Sequence, residues 1–207
     1  MLQLFIVILG ERYLPGVSDC THVKALEREI IHLLCSGPKP FSQIERIVPN
    51  EPTMQRLSLD SAVRSVAEFR KSTATSSGMF YLKENLLIEY NPFFYHYSKT
   101  LISQAEQQQK KERANLSREL IACPPPIPPK FSPFFKPVTR LAESDLFVKL
   151  LRVVFERVAK RSRFASDGCF HRALFLTAMA LNEQQQAFDN SEEFNFIKKL
   201  SKKTSSI

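Results

Sequence analysis

The residues best suited to chemistry form two pairs, Cys20 with His22 and His32 with Cys35. Thiolate and imidazole are zinc ligands, and a His and a Cys three apart on a helix can reach one ion. The competing reading is stronger. It makes Cys35 a small hydrophobe ending an apolar stripe, His32 a satisfied core histidine, and Cys20 and His22 loop residues. A second set, Arg64, Arg70 and Lys71, follows Arg56 where a DNA-reading helix would carry its basic face. Asp60 and Glu68 offset these cations. Residues 24–90 hold nine basic and eight acidic side chains, a net of +1, less than a duplex reader offers. A third set, Pro125-x-x-Pro128-x-Lys130, fits the polyproline ligand of an SH3 groove, although a stiff spacer explains it more simply. The run Phe93-Phe94-Tyr95-His96-Tyr97 could stack bases, but five bulky residues after a proline more often pack a core.

Common catalytic signatures are missing. There is no G-x-S-x-G, H-E-x-x-H, G-x-x-x-x-G-K-[ST] or G-x-G-x-x-G, and no carboxylate pair stands out as acid and base. Five glycines in 207 residues disfavour a glycine-cradled phosphate site. The four cysteines (Cys20, Cys35, Cys123, Cys169) are widely spaced without C-x-x-C, which suggests a reduced, intracellular chain. The apolar run at 4–9 is too short to cross a bilayer, and the N-terminus has neither the basic start nor the cleavage site of a signal peptide. No membrane partner is expected. The net charge of +8 is local: Arg157, Lys160, Arg161 and Arg163 supply four charges, and Lys198, Lys199, Lys202 and Lys203 the other four. The first cluster ends a helix, where cations complement the macrodipole, and the second lies near the C-terminus, so nucleic acid is disfavoured as a partner.

The elements that must position these residues follow from periodicity. Residues 1–9 read as a buried helix or strand end, followed by a turn at Leu14-Pro15-Gly16. Asp19 or Thr21 caps a helix over 22–35, and Ser42 caps a short helix stopped by Pro49. A third helix is predicted over 58–71, with Leu59, Ala62, Val63, Val66, Ala67 and Phe69 mostly inward. Residues 50–55 read as a loop and 72–78 as a turn or mobile tip; after that tip, 79–82 read as a strand and 86–90 as a second strand or a short helical turn. A polar helix over 98–120 precedes the run Cys123 to Lys130, which is polyproline II. Beyond it lie a helix from Ser144 or Asp145 to 161, with Leu146, Leu150, Val153, Val154 and Val158 as its stripe, a break at Ser166-Asp167-Gly168, and a helix over 169–188. Two helices leave an apolar face uncovered, to be closed by residues 1–9 and the aromatic run or by a partner outside the chain.

The expected fold is mainly α with a small β-hairpin: a winged-helix domain joined by a long helix and a polyproline linker to a helical bundle segment. The expected divisions are an apolar packing segment at 1–21, a winged-helix-like domain at 22–91, the aromatic run and connecting helix at 92–122, the Pro-rich linker at 123–137 and a partial helical scaffold at 138–207.

Several stretches, in order and spacing, resemble the middle of the Ubr-type N-recognins. These are Ile6-Val7-Ile8-Leu9-Gly10-Glu11-Arg12-Tyr13, Arg28-Glu29-Ile30-Ile31-His32-Leu33-Leu34-Cys35, Gly78-Met79-Phe80-Tyr81-Leu82-Lys83 and Phe94-Tyr95-His96-Tyr97-Ser98-Lys99, then the proline run with Phe131. That family comprises large RING-type E3 ubiquitin ligases of the N-degron pathway, which bind destabilising N-termini and pass ubiquitin from an E2 to substrate lysines. The resemblance implies a winged helix followed by a helical scaffold, with the UBR box upstream and the RING downstream. Both of those need many closely spaced Cys and His, and this chain has four of each. Zinc is therefore expected in the intact family protein outside this chain, with no cofactor and no catalytic residue here. The implied partners are other domains of the same ligase, with E2 and N-degron substrates engaged elsewhere, in the cytoplasm or also the nucleus. The chain reads as an excerpt of a larger ligase, non-catalytic alone. The alternatives are a nucleic-acid-binding winged-helix protein and a Pro-rich SH3-ligand adaptor.

Overall fold

The computed structural model of the chain describes residues 1–46, 54–71, 78–115, 123–161, 163 and 166–202. Of the expected loop at 50–55, residues 50–53 lie outside the described residues while 54 and 55 already belong to a helix; the Arg56 side chain, the tip at 72–77, the end of the polar helix at 116–120 and Lys203 also lie outside them. The chain divides into two compact units, one of residues 13–126 and one made of residues 1–12 with 127–207.

In the first of these, α2 (His22–Cys35) is the central element. Thr21 caps it, its side-chain oxygen accepting from the Lys24 N–H. Ile30, Ile31, Leu34 and Cys35 recur at helical spacing and are buried. They meet Ile44 of α3 (Phe41–Glu45) and Leu59, Ala62, Val63 and Val66 of α4 (Met54–Val66) in one core. Pro40, not Ser42, occupies the N-cap position of α3, so Ser42 lies inside the first turn. Gly37, at φ +114°, makes the sharp exit from α2 that a side chain would strain.

The hairpin corrects the expected chain path. Helix α4 stops at Val66, and residues 67–70 form β1 (Ala67–Arg70), paired antiparallel with β2 (Met79–Leu82) in the register Ala67–Leu82, Glu68–Tyr81, Phe69–Phe80, Arg70–Met79. Residues 84–89 are a 3-10 helix rather than a strand. The helical spacing of apolar residues continues to Phe69, but Lys83 overrides it. Its Nζ donates to the Arg64 and Ser65 carbonyls, and its N–H donates to the Val66 carbonyl, capping α4 there. Phe69 consequently stands largely exposed, leaning on Phe80. Lys39 adds a rung on the far side of β2 through paired bonds with Phe80. Helix α5 (Lys99–Asn115), whose first turn is capped by Ser98, packs on α2 through Ala105.

The second unit is all helical among the described residues. Residues 1–10, the ambiguous apolar run, form α1 (Leu2–Gly10) and bury Leu2, Ile6 and Leu9. α6 (Asp145–Ala159) and α7 (Asp167–Asp189) are capped by Ser144 and Ser166, so Asp167 and Gly168 begin a helix instead of breaking the chain. Helix α1 lies on α7, and Phe5 meets the Phe147 ring edge-on at 5.2 Å. The buried face of α6 is therefore Phe147, Val148 and Leu151, while Leu146 of the expected stripe is exposed. The two stripes compete on one helix, and packing against α1 selects between them. A 3-10 helix (Lys136–Glu143) and α8 (Phe196–Ser201) close the unit, with Phe196 buried against Phe147. Arg152 reaches the end of α8 and donates to the carbonyls of Lys199, Leu200 and Lys202.

Arg12 holds this unit's discontinuous pieces together. It is 1% exposed. Its Nε donates to the Leu9 carbonyl at 2.8 Å and its Nη2 to Glu183 Oε1 at 2.6 Å, and the guanidinium lies 4.1 Å above the Phe131 ring. Arg12→Ala should destabilise this unit by about 3–5 kcal/mol, because the Glu183 carboxylate stays buried without its partner. Hydrogen exchange of the α7 amides would report it. The double variant Arg12→Met, Glu183→Leu should recover most of the protection.

Candidate interaction site

The wing and α4 would carry any nucleic-acid face, and part of their charge is engaged within the unit. Arg64 is exposed, but Arg70 pairs with Glu68 at 3.2 Å and lies over the Tyr81 ring at 4.6 Å. Lys71 is exposed at the start of the tip, and Lys83 is held on the α4 carbonyls. A groove in duplex DNA requires cations presented together on a reading face. Here one of the three expected contacts is paired with an acid on its own strand.

The aromatic run builds a closed cluster around His32. Phe94 is buried and stacks on His32 with ring centroids 4.0 Å apart, and Tyr97 donates its hydroxyl to the His32 carbonyl at 2.7 Å. The Arg28 guanidinium is sandwiched between the Tyr13 ring at 4.1 Å and the Phe94 ring at 4.7 Å. His96 faces outward and meets Glu29 at 2.9 Å. Of the residues that could have stacked bases, Tyr95 and His96 are exposed, and His96 is engaged by Glu29.

His32 and Cys35 sit on one helix, and neither is presented to an ion. His32 Nδ1 donates to the Arg28 carbonyl at 2.8 Å, and Nε2 accepts the Asn91 N–H at 3.3 Å, so both ring nitrogens are committed. Cys35 is buried in the core, Cys20 is buried with its thiol on the Thr21 carbonyl, and His22 is exposed on the first turn of α2. No group of three or more His, Cys, Asp or Glu among the described residues could hold a metal. These residues therefore do not fit a zinc site.

The proline set divides between the units. Pro125 is buried in the first, whereas Pro128 is half-buried and Lys130 exposed in the second. An SH3 groove engages both prolines from one open face. No helix among the described residues is long and apolar enough to cross a membrane.

Burial of ionisable groups follows the same logic. Burial, with the neighbouring Arg28 charge, pulls the His32 imidazole down to about 3. Burial pushes the Tyr97 hydroxyl well above its ordinary range and lowers the Lys39 ammonium. Glu89 is raised by burial against the opposing effect of Arg28. In the second unit Asp145 is held low by a hydrogen bond from Lys199. Periodicity could not have found the buried arginines, since Arg12 and Arg28 have the sequence context of surface residues. What the arrangement can do chemically is bind by shape: a neutralised winged helix and an all-helical unit.

Comparison with known proteins accords with that. Residues 25–124 match the family model described as the E3 ubiquitin-protein ligase UBR1-like winged-helix domain. The chain is 42% identical to E3 ubiquitin-protein ligase ubr-1 of Caenorhabditis elegans over 89% of its own length and 9% of that protein's. It is 39% identical to human E3 ubiquitin-protein ligase UBR1 over its full length, 12% of that protein. Against human UBR2 the identity is 33% over 98% of the chain. The chain thus spans about a tenth of the curated relatives it matches.

The neutral His32 makes stability depend on pH with a definite sign. Unfolded, the imidazole takes a proton near its ordinary 6.5; folded, it does so only near 3. Between those values the unfolded state binds the extra proton, so stability falls as pH falls. The loss is about 1.4 kcal/mol per pH unit below the unfolded value. Urea midpoints measured from pH 7.5 to 4.5 should show it, and His32→Gln should flatten the slope.

Proposed function

Because the chain belongs to the Ubr-type family of E3 ubiquitin-protein ligases, we propose that it is the winged-helix and helical scaffold that keeps the working parts of such a ligase in register. The match of residues 25–124 to the winged-helix domain of these ligases carries the reading. Two structural features support it. On the wing Arg70 is paired with Glu68 and Lys83 is held on the α4 carbonyls, which suits a fold used for packing against protein. Helix α1 buries one face and turns Leu4 and Ile8, four residues apart, to solvent at 60% and 36% exposure. An apolar stripe left open on an otherwise packed helix suits a segment that continues against further protein.

In this reading, recognition of destabilising N-termini and transfer of ubiquitin from an E2 belong to zinc-bound regions outside these residues. The site of action is the cytoplasm, or the nucleus as well. The isolated chain should neither bind a peptide with a destabilising N-terminus, followed by fluorescence anisotropy, nor discharge ubiquitin from a charged E2. Tight binding or discharge would overturn the assignment. Leu4→Ser with Ile8→Ser should reduce concentration-dependent association of the isolated chain in sedimentation. The same pair placed in a full-length ligase should lower its thermal stability or its ubiquitination rate.

A further inference from the structure

In the unit of residues 13–126, a cavity of about 410 Å³ opens between the hairpin, α5 and the end of α2. Its walls are mostly apolar at the Leu34, Pro38, Leu82 and Leu87 side. Glu68, Arg70, Glu84, Lys111 and Glu112 also line it. A second recess of about 580 Å³ continues past Glu68 and Glu84 to Lys83 and Asn85.

Gln109 also lines the cavity, and it is 3% exposed. Its amide nitrogen and its amide oxygen are both buried with no hydrogen-bond partner among the described residues. A buried amide lacking both partners costs on the order of 1–3 kcal/mol per group, and such groups in folded proteins are rare enough to need an explanation. The neighbouring Gln108 shows the ordinary solution, donating to Glu112 at 2.7 Å. With no bond to break, the Gln109 amide can turn toward an occupant of the cavity without loss.

We propose that this cavity binds an extended peptide segment, with Gln109 pairing to one of its backbone amides. A primary amide carries one donor face and one acceptor face, the complement of a peptide C=O and N–H. The apolar side holds one aliphatic side chain of the segment, and the continuing recess accommodates an extended chain rather than a compact ligand. Glu68, Glu84 and Glu112 on the two recesses are matched by Arg70, Lys111 and Lys83, so the rim is neutral overall and the peptide is selected by its backbone and its aliphatic side chain. The inference stands independently of the ligase assignment.

The test uses the full chain labelled with ¹⁵N and a blocked tetrapeptide of sequence alanine-leucine-lysine-alanine. The side-chain NH₂ pair of Gln109, identified by its loss in Gln109→Met, should shift saturably with peptide in the range up to about 10 mM expected for so small a ligand. Methylating the leucine backbone nitrogen should weaken binding at least tenfold, as should Gln109→Met. Replacing lysine by glutamate in the peptide should change binding less than about twofold, because the two recesses together carry as many basic as acidic side chains. Equal binding of the methylated peptide would overturn the proposal on the unaltered protein, whatever the variant does. So would the absence of any saturable shift, which would leave the amide to water alone.

Discussion

A guanidinium cannot be buried unless its charge and its donors are answered, and that constraint governs how this chain closes. Arg12 has carbonyl, carboxylate and aromatic partners, drawn from the α1 end, from α7 and from the segment just after the prolines. The last two lie more than a hundred residues beyond Arg12 in the chain. Each partner alone is ordinary; together they make the placement of the N-terminal helix obligatory, because removing α1 would leave Glu183 as a lone buried carboxylate.

Arg28 plays the same part in the other unit by different means. It lies between two aromatic faces, beside a histidine that burial keeps neutral. The neutrality matters: a second cation next to Arg28 would be costly at this depth. The ring stack of His32 and Phe94 and the Tyr97 hydroxyl bond then join the segment after the 3-10 helix to the back of α2. The winged helix is thus braced along α2, while the hairpin, α5 and the end of α2 frame an open cavity. In a protein whose relatives are some ten times longer, such braced modules suit holding distances between sites.

The helices were largely legible in the residues. Thr21 and Ser144 cap where side-chain chemistry says a helix should begin, and α2 has the bounds its apolar spacing predicts, whereas Ser166 caps a helix where the residues read as a break. The misreadings share one cause. Apolar spacing carries the helix of α4 on past Phe69, whereas Lys83, from beyond the hairpin turn, ends it at Val66. The stripe on α6 was assigned to Leu146 because two apolar stripes coexist there, and only the arrival of Phe5 distinguishes them. The zinc and SH3 patterns were legible as patterns, but what surrounds them was not. Gln109 carried no signal whatever, since an unpartnered amide is defined by what fails to reach it.

By itself the sequence determined the helical character of the chain, the caps at Thr21 and Ser144, its near-neutral charge outside two clusters and its resemblance to one family. These follow from local backbone energetics, from composition and from order along the chain, all of which are readable without coordinates. Tertiary structure alone decided that residues 1–12 fold with 127–207, which strand partners the wing, and that His32 is sealed rather than available. Those outcomes depend on pairing between groups far apart in the chain. The balance of desolvation against a distant partner exists only once both are in place.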